Sequence, residues 1–160
     1  MIFATVGTQL PFDRLVGVVD RWAATRGDAD VFAQVGPSGL RPRAIAWERF
    51  VSPAECRERM RAADAIVAHA GMGTILTALE LGTPIVVMPR RAALGEHRND
   101  HQLATARRFA EQGSIAVAFD EAELHARLDA LGADGPSVGR RIGRHAEGPL
   151  VDALRAFIAA

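Results

Sequence analysis

Two short apolar runs, joined by a glycine turn and a helical pattern, constrain this chain most. Ala65-Ile66-Val67-Ala68 leads into His69-Ala70-Gly71-Met72-Gly73-Thr74. Ile75, Leu76, Leu79 and Leu81 then recur at helical spacing, up to the break at Gly82-Thr83-Pro84. A second run, Ile85-Val86-Val87-Met88, ends at Pro89. A polar loop over residues 90–101 and a last helix ending near Gly113 follow. Runs this short and β-branched suit strands buried on both faces of a parallel sheet. A parallel pair needs a crossover, and residues 74–82 are long enough to be one.

The glycine turn therefore sits at the carboxyl end of a strand and opens a helix. Open α/β sheets bind ligands at that place. Free backbone N–H groups and the positive end of a helix dipole favour phosphate there. Gly71 and Gly73 carry no Cβ, so an anion can approach the backbone. Thr74 either caps the helix or offers its hydroxyl to a phosphate oxygen. Taken alone, the turn reads equally well as a plain tight turn.

The remaining pattern repeats this unit. Residues 2–6 form a strand followed by Gly7-Thr8-Gln9, and Leu15, Val16, Val18, Val19 and Trp22 mark a helix ending before Gly27. Residues 31–35 and 44–47 read as further strands. Ser52 and Pro53 read as cap and first residue of a helix to about Ala63, with Glu55 completing a capping box. Residues 115–119 read as a sixth strand, and Asp120 caps a helix to about Leu131. Residues 132–148 form a glycine-rich basic loop or hinge, and residues 149–160 a short amphipathic helix. Six strands alternating with helices predict a single Rossmann-like α/β domain, a doubly wound parallel sheet. In the order 3-2-1-4-5-6, the turns after strands one and four face one crevice. That convergence favours a diphosphate site.

Composition narrows the classes. The 160 residues carry 19 basic and 19 acidic side chains, which argues against nucleic acid as a partner. Cys56, the one cysteine, cannot form an internal disulfide, so a reducing, cytoplasmic compartment is expected. No apolar run reaches the roughly 20 residues of a membrane span, and the first residues read as a strand rather than a signal peptide.

Several motifs together resemble the donor-binding, C-terminal domain of family 28 glycosyltransferases. They are Gly-Thr-Gln-Leu-Pro-Phe-Asp-Arg-Leu-Val from Gly7, His-Ala-Gly-Met-Gly-Thr from His69, and Leu-Gly-Thr-Pro from Leu81. Met88-Pro89-Arg90 and Gly-Glu-His-Arg-Asn-Asp-His-Gln from Gly95 complete the set. The likeness is greatest to small subunits of split enzymes, namely bacterial exopolysaccharide glycosyltransferases and the dolichol-pathway N-acetylglucosaminyltransferase.

The resemblance implies one half of a GT-B fold that holds a UDP-sugar. An inverting hexosyltransferase would be completed by a separate membrane-associated subunit that binds a lipid-linked saccharide acceptor. This chain would then be recruited to the cytoplasmic face of the membrane. The alternative is a non-catalytic nucleotide-sugar-binding module. By the same resemblance Gly7, Thr8 and the start of the helix opened by Thr74 face the donor phosphates, and Gln9, His69, Gly71, Met72 and Gly73 belong to the same substrate site. Glu96 and His97 belong to the sugar-contacting loop, in which Asn99, Asp100, His101 and Gln102 would hydrogen-bond the hexose hydroxyls. No metal or other cofactor is implied, and the general base is expected on the partner. Relatives often carry an acidic residue at the position of Thr77 to hold the ribose, and Glu80 lies three residues on. Either Glu80 takes that role, or the ribose is held more weakly or by the backbone. Arg90 reads equally as a loop cation or a phosphate partner. His69, His97, His101 and Glu80 also have plain structural readings, as a satisfied strand-end histidine, loop surface and a solvated helix charge.

Overall fold

Alternation of β-branched runs with amphipathic helices produces alternation in space. The computed structural model describes residues 1–27, 29–113 and 115–134. Its strands are β1 (Ile2–Thr5), β2 (Val31–Gln34), β3 (Ala46–Glu48), β4 (Ala65–His69), β5 (Ile85–Met88) and β6 (Ala116–Val117). Its helices are α1 (Asp13–Ala24), α2 (Pro53–Ala62), α3 (Met72–Leu81), α4 (His101–Gln112) and α5 (Glu121–Asp134). Among the described residues the strands form one parallel sheet in the order β3-β2-β1-β4-β5-β6. This is the expected Rossmann-like, doubly wound α/β fold.

Side chains of successive strand residues enter opposite cores. Ala4, Val67, Val86 and Met88 pack with Leu15, Val19 and Trp22 of α1 and with Leu124 and Leu128 of α5. Phe3, Ile66, Ala68 and Val87 pack with Met60 of α2, Ile75 and Leu79 of α3, and Ala106 of α4. Both faces of the sheet are thus covered, which is why β4 and β5 read as unbroken apolar runs.

Local chemistry sets the helix ends. Ser52 Oγ accepts from the Glu55 N–H at 3.2 Å, and Pro53 opens α2, as expected. The Asp120 carboxylate accepts from the Glu123 N–H at 2.8 Å ahead of α5. Two expectations are corrected. Helix α3 begins at Met72 with Gly71 as its cap residue, so Thr74 lies in the first turn and does not cap it. Helix α5 continues to Asp134, past the expected start of the loop over 132–148. The rest of that loop and the helix over 149–160 lie outside the described residues. Among the described residues no helix is long and apolar enough to cross a membrane.

Register places the two glycine turns side by side. Strands β1 and β4 are neighbours, with Ile2 opposite Ala65 and Thr5 opposite Ala68. Both end at the same level of the sheet, so Gly7-Thr8-Gln9 and His69 to Thr74 emerge next to each other.

Candidate functional site

The two turns line one open cleft of about 550 Å³ at the carboxyl ends of β1, β4 and β5. The first turn contributes Gly7, Thr8, Gln9 and Leu10, and the second His69, Gly71, Gly73 and Thr74. Arg90, His97, Arg98, His101 and Gln102 close a third side. The crevice anticipated at the switch between β1 and β4 is therefore present.

The first turn is shaped by polar groups from the strands beneath it. Gly7 has φ of +75°, a left-handed conformation that suits glycine. Its N–H donates to Thr5 Oγ1 at 3.2 Å, and its carbonyl accepts from Gln34 Nε2 at 3.3 Å. The Gln34 carbonyl end accepts from the Val51 N–H at 3.1 Å. Thr5 and Gln34 are buried polar residues in apolar strands and were missed as site residues. The signal was present, because a polar side chain inside a doubly covered strand needs hydrogen-bond partners.

The second turn approaches the first through His69. A Cβ placed on Gly7 would lie 2.8 Å from His69 Nε2, and one on Gly71 would lie 2.0 Å from His69 Cε1. The imidazole thus fills the space between the two glycines. Its Nε2 is 3.4 Å from Thr74 Oγ1, and its Nδ1 is 3.4 Å from Gln102 Nε2. Burial, then the Arg90 charge and then His97, hold the His69 pKa down to about 4. The ring is neutral at physiological pH. Gly73 differs from the other two glycines, since a Cβ there meets nothing within 4 Å. No side chain caps the start of α3, so its first N–H groups remain available on the cleft side.

Arg90 is a buried clasp. Its guanidinium donates to the carbonyls of Val6 at 2.8 Å and Leu10 at 2.7 Å, and also to that of Pro11. It lies 4.7 Å from the Phe12 ring centroid. Burial pulls its pKa down to about 10, opposed by the Glu96 charge, so it stays cationic at neutral pH. It holds the first turn against the loop and places positive charge beside the cleft.

The loop divides by role. His97, Arg98, His101 and Gln102 line the cleft, whereas Glu96, Asn99 and Asp100 do not. Glu96 pairs with Arg14 of α1, at 2.7 Å to Nε and 2.8 Å to Nη2, and accepts from the Arg91 N–H at 2.9 Å. Asp100 accepts from the Ala92 N–H at 2.8 Å, and Asn99 Oδ1 is taken up by His101. These three side chains shape the loop.

Gln102 lines the cleft, yet both ends of its amide are engaged. Met72 is exposed at the start of α3, outside the cleft lining. Thr77 donates to the Gly73 carbonyl at 2.8 Å, and Glu80 pairs with Arg57 of α2 at 3.2 Å. Neither Thr77 nor Glu80 lines the cleft. Cys56 does, and burial, with the Glu55 charge, pushes its thiol pKa up, so it is not a reactive thiolate.

Comparison with known proteins bears on the family and the fold. The human UDP-N-acetylglucosamine transferase subunit ALG13 is 28% identical over 124 residues, 71% of this chain. The mouse protein of the same name is 29% identical over 123 residues. The chain spans about a tenth of the length of these curated relatives. The solution structure of ALG13 superposes with a TM-score of 0.60 at 19% identity, covering 96% of this chain and 93% of that one. The calicheamicin glycosyltransferase CalG4 superposes at 0.57 and 17% identity, with 99% of this chain covering 43% of that one. These two likenesses concern the fold. The family model of the glycosyltransferase family 28 C-terminal domain matches residues 1–137, and the chain belongs to that family.

Proposed function

We propose that this chain is the donor-binding subunit of a two-chain glycosyltransferase and holds a UDP-sugar in the cleft. The observation that carries this reading is the meeting of two glycine turns over one crevice, at the open end of α3. Breaking the anomeric C–O bond builds negative charge on the β-phosphate of the leaving UDP. The first N–H groups of α3, with the dipole behind them, oppose that charge as it develops. The cationic Arg90 adds a favourable field from behind the turn. No metal ion is required by this scheme. His97, Arg98 and His101 line the same cleft, and are the side chains proposed to contact the sugar.

The likeness to ALG13, a subunit by name, supports a partner. We place the lipid-linked saccharide acceptor and the general base on a membrane-associated partner subunit, which would bring this chain to the cytoplasmic face of the membrane. A hexose, inversion at the anomeric carbon and a place in exopolysaccharide synthesis belong to the same reading. Calorimetric titration of the purified chain with UDP tests it. Saturable binding is expected, and no heat at millimolar UDP would overturn it.

A further inference from the structure

We propose that Gln102 is a positioning residue that decides which nitrogen of His69 carries the proton. The inference starts from a donor that cannot change sign. The Arg90 backbone N–H can only donate, and it donates to Gln102 Oε1 at 3.3 Å. That bond sets the amide's orientation. Its NH₂ group is then the end that stands 3.4 Å from His69 Nδ1. The reversed amide would bring donor against donor at Arg90, and Gln102 is only 4% exposed, so water cannot relieve the conflict.

Since the Gln102 NH₂ donates, Nδ1 must accept. A neutral imidazole has one donor and one acceptor, so the proton sits on Nε2. Nε2 lies beside Thr74 Oγ1 and Gly7, between the two glycine turns. Both bonds to the ring are long and each is weak alone. The chain of donors and acceptors, rather than either distance, selects the tautomer.

The consequence rests on the proposed diphosphate site. With hydrogen on Nε2, an uncharged imidazole offers a donor to the anion, directly or by fixing the Thr74 hydroxyl so that its own proton points outward. The other tautomer would turn a lone pair toward the phosphate. Gln102 therefore acts on the anion site through His69. The Arg90 charge and the His97 ring face His69, and both disfavour its imidazolium.

The test reads the ring directly in the full, ligand-free chain. Long-range proton–nitrogen spectra of nitrogen-15-labelled protein at neutral pH separate protonated from bare ring nitrogens. His69→Asn identifies the His69 signals. Wild type is expected to show Nε2 protonated and Nδ1 bare. In Gln102→Glu the carboxylate still accepts from the Arg90 N–H but cannot donate to Nδ1. Nδ1 should become protonated, and the ring pKa should rise by about 1 to 3. Gln102→Leu, which removes the amide altogether, should give a mixture of tautomers. Nδ1 protonated in wild type, or a wild-type pattern unchanged in both variants, would overturn the inference. The expected tautomers in a protein that fails to bind UDP would uphold Gln102's role and remove the ligand proposed for the site.

Discussion

Gly7, Gly71 and Gly73 line one cleft, but a methyl group would meet different surroundings at each. At Gly7 the backbone is left-handed and His69 stands 2.8 Å from the missing Cβ. Gly7→Ala should lose about 1–2 kcal/mol of stability from backbone strain, before any displacement of His69. At Gly73 there is open space and a helix. Gly73→Ala should match wild type in stability or exceed it by up to about 1 kcal/mol. Its UDP affinity should nevertheless fall about tenfold, a loss near 1.4 kcal/mol, because the methyl blocks close approach to the amides. Denaturant melts and calorimetry on the two variants measure both effects. A Gly73→Ala protein that binds UDP like wild type would show that the turn is no cradle.

His69 gives the same site a pH signature. Its pKa is near 4 in the fold against 6.5 in the unfolded chain. Between those values the unfolded chain binds the extra proton, so stability falls as pH drops from 6.5 toward 4. The full loss is about 3 kcal/mol, taking 1.36 kcal/mol per pKa unit. His69→Asn should flatten that part of the stability–pH curve. An unchanged slope would mean that the histidine already titrates normally in the fold.

At the scale of elements, the cleft depends on how the loop after β5 is tied to β1 and α1. Arg90→Met removes every guanidinium bond to the carbonyls of Val6, Leu10 and Pro11. Stranding buried acceptors costs about 1–3 kcal/mol each, so a total loss of about 3 kcal/mol or more is expected in urea unfolding. A loss below 1 kcal/mol would mean that water replaces the clasp. Ser52→Ala, which removes only the α2 cap, should cost about 1 kcal/mol.

These elements also show what was legible beforehand. Strand β5 was read residue for residue, because burial on both faces leaves a continuous apolar run. Strand β3 was misplaced by two residues at its start, since an edge strand with Ala46 and Glu48 exposed carries no such pattern. The sequence places the start of α3 too late because Gly-x-Gly reads as a turn, whereas Gly73 already lies in the helix. The crevice between Gly7 and His69 followed from topology alone. The pairing of Arg14 with Glu96 did not, as 82 residues separate them and no local period records it. For the same reason Glu96 was grouped with cleft residues although it anchors the loop, and Arg90 could not be told from a free loop cation.

At the scale of the molecule, the cleft lies at the carboxyl end of one sheet and opens outward. A donor held there would leave a face exposed to water, and hydrolysis would compete with transfer. On the proposed two-chain reading, a second wall comes with the acceptor. Sugar transfer should need the membrane-associated partner, while UDP binding should not. A radiolabelled transfer assay with and without partner-containing membranes measures this. Full turnover by the isolated chain would refute the two-chain arrangement.

Amide mapping by NMR tests the shared diphosphate cradle most directly. Unlabelled UDP is added to the nitrogen-15-labelled chain and the backbone signals are followed. The account predicts saturable shifts concentrated at Gly7, Thr8 and residues 71–74, from both turns at one common affinity. Shifts confined to one turn, shifts centred elsewhere, or none at millimolar UDP would contradict it.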